Sequence, residues 1–196
     1  LLTGYSRQRK YRRLLVAPTG LRAGILELIE REGKGPKGRI VMKVNNLVDP
    51  EVIDALYAAS KGGAEIDLIV RSICCLRPGV PGLSETIRVR SVVGRFLEHS
   101  RLFRFGNEKR GVDFYLGSAD MMDRNLDRRV EAVVPVADPE LRERLDEVLA
   151  LTLADDVLAW ELGPDGCWSK VPTKKGIDCQ VTLQLLALER ASGNHG

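Results

Sequence analysis

His99 lies in the segment Gly94-Arg-Phe-Leu-Glu-His-Ser-Arg101 and is, with His195, one of only two histidines in the chain. Histidine is the side chain whose ordinary titration falls near neutral pH, so it can give or take a proton at a reacting group. A histidine beside a strand also serves as a hydrogen-bonded structural group, and the residues alone leave both roles open. Its surroundings are basic. From Arg95 to Arg129 there are eight basic residues (Arg95, Arg101, Arg104, Lys109, Arg110, Arg124, Arg128, Arg129) against six acids. Arginines at strand ends suit phosphate, because a planar guanidinium matches two phosphate oxygens at once. A mixed, solvated face has the same composition. Arg71 follows the apolar run Leu68-Ile-Val70 and is expected at the carboxyl end of a strand, the edge at which open α/β sheets bind ligands.

A second stretch, Leu116-Gly-Ser-Ala-Asp-Met-Met-Asp-Arg-Asn125, places Gly117-Ser118 directly after an apolar strand. Such a backbone can approach a ligand closely, and the hydroxyl can bond it. Asp120, Arg124 and Asn125 come within reach of one another if a helical turn follows. The stretch reads either as a polar turn with an N-cap or as a second wall of an anion site. Other chemistries are excluded: there is no zinc spacing, no G-x-S-x-G elbow and no H-E-x-x-H, and no residue is assigned to a metal. Gly33-Lys-Gly-Pro-Lys-Gly38 imitates a phosphate loop. However, Arg39-Ile40 follows where Lys-Ser/Thr is required, and the order is helix–loop–strand.

The elements that must position these residues follow from periodicity and punctuation. Leu21, Ile25, Leu28 and Ile29 recur at helical spacing, with Thr19 as a plausible N-cap. Strands are expected at Arg39–Val44 and Glu65–Arg71, joined by a helix that Asp49-Pro50 opens and whose buried face is Val52, Ile53, Leu56 and Tyr57. This strand–helix–strand unit implies a parallel pair with a right-handed crossover, hence an α/β class. Residues 77–83, with two prolines and two glycines, are too stiff for a simple turn. Further strands are expected at 87–93, 101–105, 112–116, 129–136 and 157–162, and Pro135 marks a strand end or an edge. Asp138-Pro139 opens a helix carrying Leu141, Leu145, Val148, Leu149 and Thr152, and a terminal helix at 181–190 carries Val181, Leu185 and Leu188.

The 196 residues, 44% hydrophobic and 29% charged, exclude disorder, and no apolar run reaches the roughly 20 residues of a membrane span. Six of the 30 basic residues (Arg7, Arg9, Lys10, Arg12, Arg13, Arg22) precede Glu27, the first acid. The net charge of +3 therefore belongs to an arm, and the rest of the chain carries −3. Residues 1–13 read as a basic linker, 14–190 as a single α/β catalytic domain and 191–196 as a disordered polar tail. Cys74, Cys75, Cys167 and Cys179 form no disulfide framework and read as small buried thiols of a reduced, cytoplasmic compartment. The missing initiator Met and secretory signal suggest a piece of something longer.

The residues that carry a resemblance run in order along almost the whole chain. They are Leu2-Thr-Gly-Tyr5, Val44-Asn-Asn-Leu-Val-Asp49, Leu56-Tyr-Ala-Ala-Ser60, Leu68-Ile-Val-Arg71 with Cys74, Phe96-Leu-Glu-His99, Gly117-Ser-Ala-Asp120, and Arg124-Asn125 through Arg129-Val-Glu131. On these stretches the chain resembles the C-terminal part of polyphosphate kinases of the first family. The resemblance implies a mixed α/β fold, a largely central β-sheet flanked by helices, of phospholipase D-like type, the second of two related domains. The phospholipase D pattern H-x-K…GS…N survives loosely as His99-Ser-Arg101 and Gly117-Ser118…Asn125, with arginine in place of lysine.

The activity implied is reversible transfer of the terminal phosphate of ATP to polyphosphate through a phosphohistidine, which the family carries in the preceding domain. Mg2+ is implied with ATP, its ligands also outside this chain. By the same resemblance His99 matches a second essential histidine facing the phosphorylated one, and Arg71 an arginine that contacts nucleotide phosphates. Arg129 and Glu131, with Ser118, Asp120 and Arg101, are implied as lining of a polyphosphate tunnel. The implied partners are ATP or ADP, polyphosphate, the preceding catalytic domain and further copies in a homo-oligomer. Alternative readings are a non-catalytic module for polyphosphate or nucleic acid, and a phospholipase D-like hydrolase.

Overall fold

The computed structural model describes Leu15–Val16, residues 20–35 and residues 37–193. The basic arm at 1–13, the expected cap Thr19, the stretch Leu2–Tyr5 and His195 lie outside the described residues. The elements in order are β1 (Leu15–Val16), α1 (Gly20–Gly33), β2 (Arg39–Val44), α2 (Pro50–Lys61), β3 (Glu65–Val70), β4 (Ile87–Val92), β5 (Arg101–Asn107) and β6 (Gly111–Gly117). They continue with α3 (Asp123–Leu126), β7 (Ala132–Val136), α4 (Pro139–Ala154), β8 (Ala159–Leu162), β9 (Trp168–Lys170) and α5 (Cys179–Gly193). One nine-stranded sheet orders them β1-β7-β6-β5-β2-β3-β4-β8-β9. The three strands β2, β3 and β4 run parallel, as the strand–helix–strand reading requires, and the flanking strands are antiparallel.

Alternation along the strands divides the core. Ile40, Met42, Ile66, Leu68, Val70, Val89 and Phe103 face α1 and α2, while Val41, Ile69, Leu102, Phe114 and Val136 face Leu149 of α4. The middle strands are covered on both sides, so β2 and β3 are each buried at five of their six residues. α1 buries Leu21, Ile25, Leu28 and Ile29 as its spacing dictates. Close packing of α1 on α2 needs Gly33, where an added Cβ would stand 2.8 Å from the Ala59 Cα.

Asp49 caps α2 by accepting from the Val52 amide at 3.0 Å, and it is fully buried. The Arg22 guanidinium donates to the same carboxylate from Nε (3.0 Å) and Nη2 (2.8 Å) and to Asp127 at 2.7 Å, tying α1 to α2 and α3. Asp49→Ala removes the cap and one buried partner of a cation. We expect it to lower unfolding free energy by about 2–4 kcal/mol in urea titrations.

Several expectations shift. β7 begins at Ala132, not 129, because residues 127–131 form a loop that turns Glu131 inward. β9 was not anticipated; its three residues sit between Gly166 and Pro172 and are all exposed. Pro135 lies within β7 opposite Tyr115, on the stretch that β1 leaves unpaired, so its missing N–H is tolerated. Tyr57 is half-buried, and its hydroxyl accepts from the Arg77 amide at 2.8 Å. Leu141 of α4 is exposed, and so are Val181, Leu185 and Leu188: α5 runs on to Gly193, through the expected start of the tail, with that apolar stripe facing out. Of the cysteines only Cys179 is buried; Cys75 and Cys167 are exposed, and all four are free. No described helix is long and apolar enough to cross a membrane.

Candidate functional site

Register gathers the site residues at one edge of the sheet. Lys43 pairs with Ile69 and Leu102, Ile69 with Arg90, Arg101 with Gly117, and Gly117 with Val133. The ends of β2, β3, β4 and β6 and the starts of β5 and β7 therefore meet at the carboxyl edge of the parallel strands.

Arg71 follows β3 and is half-buried. Its Nε donates to the Asn45 Oδ1 at 2.9 Å, which fixes the guanidinium and leaves both terminal nitrogens unpartnered among the described residues. It borders a cleft of about 380 Å³ with Ser72, Val93, Gly94, Arg95, Phe96 and Leu97.

Asn45 leads onward to Asp120. The Asn45 and Asn46 amides donate to the Asp120 carboxylate at 2.7 and 3.3 Å, and Arg101 grips it from Nε (3.3 Å) and Nη2 (2.9 Å). Burial pushes the Asp120 carboxyl up, but the Arg101 guanidinium and the two backbone amides outweigh it, so the group titrates below the usual range. The second terminal nitrogen of Arg101 lies 3.0 Å from His99 Nδ1 and donates to the His99 carbonyl at 3.2 Å. A guanidinium can only donate, so Nδ1 accepts, and a neutral His99 carries its proton on Nε2. The imidazole is exposed. One path thus runs Arg71–Asn45–Asp120–Arg101–His99.

Ser118 and Glu131 form a second group. The Ser118 hydroxyl donates to Glu131 and accepts from the Ala132 amide at 3.1 Å; Asn125 donates to the other Glu131 oxygen at 3.1 Å. Glu131 is buried, while Arg129 is 63% exposed and 3.9 Å away, too loose a pair to hold Arg129 firmly. The expected helical turn exists as α3, yet Asp120 and Asn125 bond other partners and neither bonds the exposed Arg124.

Residue types alone did not single out Lys43 or Gln180. Lys43 is buried within β2, its amine 3.1 Å from Glu98 and donating to the Ser100 hydroxyl at 2.9 Å. A lysine inside the run Ile40-Val-Met-Lys-Val44 was the available signal. Gln180 carried none.

The acids at this edge do not fit a magnesium site. Asp120 spends its oxygens on Arg101 and backbone amides, Glu131 on Ser118 and Asn125, and no three His, Cys, Asp or Glu side chains converge among the described residues.

The sequence matches the family description "Polyphosphate kinase C-terminal domain 2" over residues 14–181. The chain belongs to the polyphosphate kinase family. A polyphosphate kinase of a Synechocystis species is 58% identical over 171 residues, which cover 85% of this chain and 23% of that protein. The crystal structure of a polyphosphate kinase from Porphyromonas gingivalis superposes with a TM-score of 0.84 at 38% identity, over 92% of this chain and 28% of that one. The chain therefore spans about a quarter of the length of the polyphosphate kinases it matches. A phospholipase D family member from Salmonella typhimurium, 20% identical with a TM-score of 0.54 over 70% of this chain and 90% of its own, shares the fold. The chain is thus a polyphosphate kinase C-terminal domain with a mixed α/β, phospholipase D-like architecture.

Proposed function

We propose that the intact protein moves the terminal phosphate of ATP onto polyphosphate and back, and that this chain forms one wall of the site. The observation that carries the reading is the unbroken path from Arg71 to His99 along the ligand-binding edge of the sheet. Phosphoryl transfer asks the protein mainly to position groups and neutralise charge. Arg71, held through Nε, keeps both terminal nitrogens for phosphate oxygens, neither of them partnered among the described residues. His99, accepting from Arg101 at Nδ1, offers an Nε2 proton to the transferring group.

In the reading, a histidine outside this chain, in the preceding domain, carries the phosphate. Its imidazole nitrogen bonds phosphorus as the bond to the ADP oxygen breaks. That N–P bond then breaks as a terminal oxygen of polyphosphate attacks. Arg129, Ser118 and Glu131 line the polymer's path, and magnesium arrives with the nucleotide, held outside this chain.

The test is the intact protein with ATP labelled in its terminal phosphate and a short polyphosphate primer. Label should enter the polymer with one ADP formed per phosphate added, and excess ADP with polyphosphate should return ATP. Polymer binding without transfer, or release of label as inorganic phosphate alone, would overturn the reading.

A further inference from the structure

Residues 93–100, which carry His99, have no regular secondary structure, and their apolar side chains do not anchor them. Val93 is 61% exposed, Phe96 44% and Leu97 73%. Hydrogen bonds must therefore set the position of this segment: the Val93 amide donates to the Leu158 carbonyl at 3.3 Å and Arg101 holds the His99 carbonyl at 3.2 Å, and the remaining anchors are two buried side chains on distant elements.

Gln180, in the first turn of α5 and 4% exposed, spends both ends of its amide on one residue. Its Oε1 accepts from the Phe96 N–H at 2.9 Å, and its Nε2 donates to the Phe96 carbonyl at 3.0 Å. The fit is close: a Cβ on Gly94 would stand 2.5 Å from the Gln180 Oε1. Gln180 is itself held, since its backbone N–H donates to Asp178 at 3.0 Å and the neighbouring Cys179 backbone N–H to the buried Asp155 at 2.8 Å. On the other flank Lys43, 3% exposed, bonds the Ser100 hydroxyl and pairs with Glu98. His99 lies between the two anchors.

We propose that Gln180 and Lys43 are positioning residues for His99: they hold the 93–100 segment from α5 and from β2, and so set where the imidazole meets the transferring phosphate. The catalytic half of this statement rests on the phosphotransfer reading above; the structural half does not. The energetic logic is that an exposed side chain on an unanchored loop samples many positions, and a misplacement of about 1 Å can cost roughly 100-fold in rate.

The experiment uses the intact protein carrying Gln180→Met, which keeps the length and loses both hydrogen bonds, and separately Lys43→Met. Amide hydrogen exchange reads the loop at Phe96, whose N–H donates to Gln180, and, as a folding control, β3 at Leu68 and Ile69. We expect β3 to keep its protection, the Phe96 amide to lose its own, and kcat for polyphosphate formation to fall about 10- to 100-fold, with the KM for ATP within about threefold. Unchanged loop protection in a folded variant would overturn the proposal, as would lost protection with unchanged kcat. Should Gln180→Met fail to fold, Lys43→Met decides by the same readouts. If the wild-type protein transfers no phosphate, the phosphotransfer reading falls and the anchoring claim stands or falls on exchange alone.

Discussion

Replacing His99 or Arg71 by alanine is expected to lower polyphosphate-forming turnover of the intact protein by at least about 100-fold, the usual loss when a transition-state donor is removed (roughly 2.7–4 kcal/mol). Neither residue supports the core. His99 is exposed, and among the described residues the Arg71 side chain bonds only Asn45, so thermal midpoints should stay close to wild type. The two variants should differ in kind. Loss of Arg71 should also weaken nucleotide binding, because its free nitrogens lie beside the cleft at the end of β3. Loss of His99 should act mainly on kcat, because Arg101 keeps its grip on Asp120 without the imidazole. Steady-state kinetics with circular dichroism on the same preparations checks both. Turnover within threefold of wild type would remove that residue from the site.

Asp120→Ala is expected to cost about 3–5 kcal/mol of stability, the range for breaking a buried ion pair from one side. Asp120 is 5% exposed and its carboxylate accepts from Arg101 and from the backbone of Asn45 and Asn46, so its removal takes the acceptor from two guanidinium nitrogens and two amides together. The effect depends on pH in a definite direction. The folded-state pKa lies below the ordinary value of 3.8, so the contribution is complete above that value and is lost as pH falls through the folded-state pKa. Asp120→Asn keeps the shape without the charge. Its stability deficit in urea titrations should be largest at neutral pH and shrink on acidification below about 4. An equal deficit at pH 7 and pH 3 would show that shape, not charge, is what matters at this position.

What the sequence made legible was local. Asp49-Pro50 and Asp138-Pro139 announce helix starts, and in each case the carboxylate accepts from the amide three residues on. The parallel pair β2/β3 followed from one helix between two apolar runs, and Arg71 duly lies at the end of its strand. His99, Arg101 and Asp120 were drawn from residue type and resemblance, and register then brings them into one hydrogen-bonded group. Distance along the chain limited the rest. Lys43 meets Ser100 across 57 positions and Gln180 meets Phe96 across 84, and no periodicity encodes such meetings. The outward stripe on α5 fails for a related reason. Val181, Leu185 and Leu188 have helical spacing, but spacing says only that they share a face, not that anything covers it.

The joining of β2 to β5 in the middle of the sheet has a consequence for how the domain acquires its shape. The unit from α1 to β4 consists of contacts near in sequence, whereas the edge that holds Asn45, Asp120 and Arg101 closes only when β5, more than fifty residues downstream of β2, is laid against it. Closing long loops costs entropy before any contact repays it. That edge is therefore expected to be among the last parts of the chain to order during folding. On a ribosome it has to wait for α5, since the anchor for Phe96 is made after residue 179.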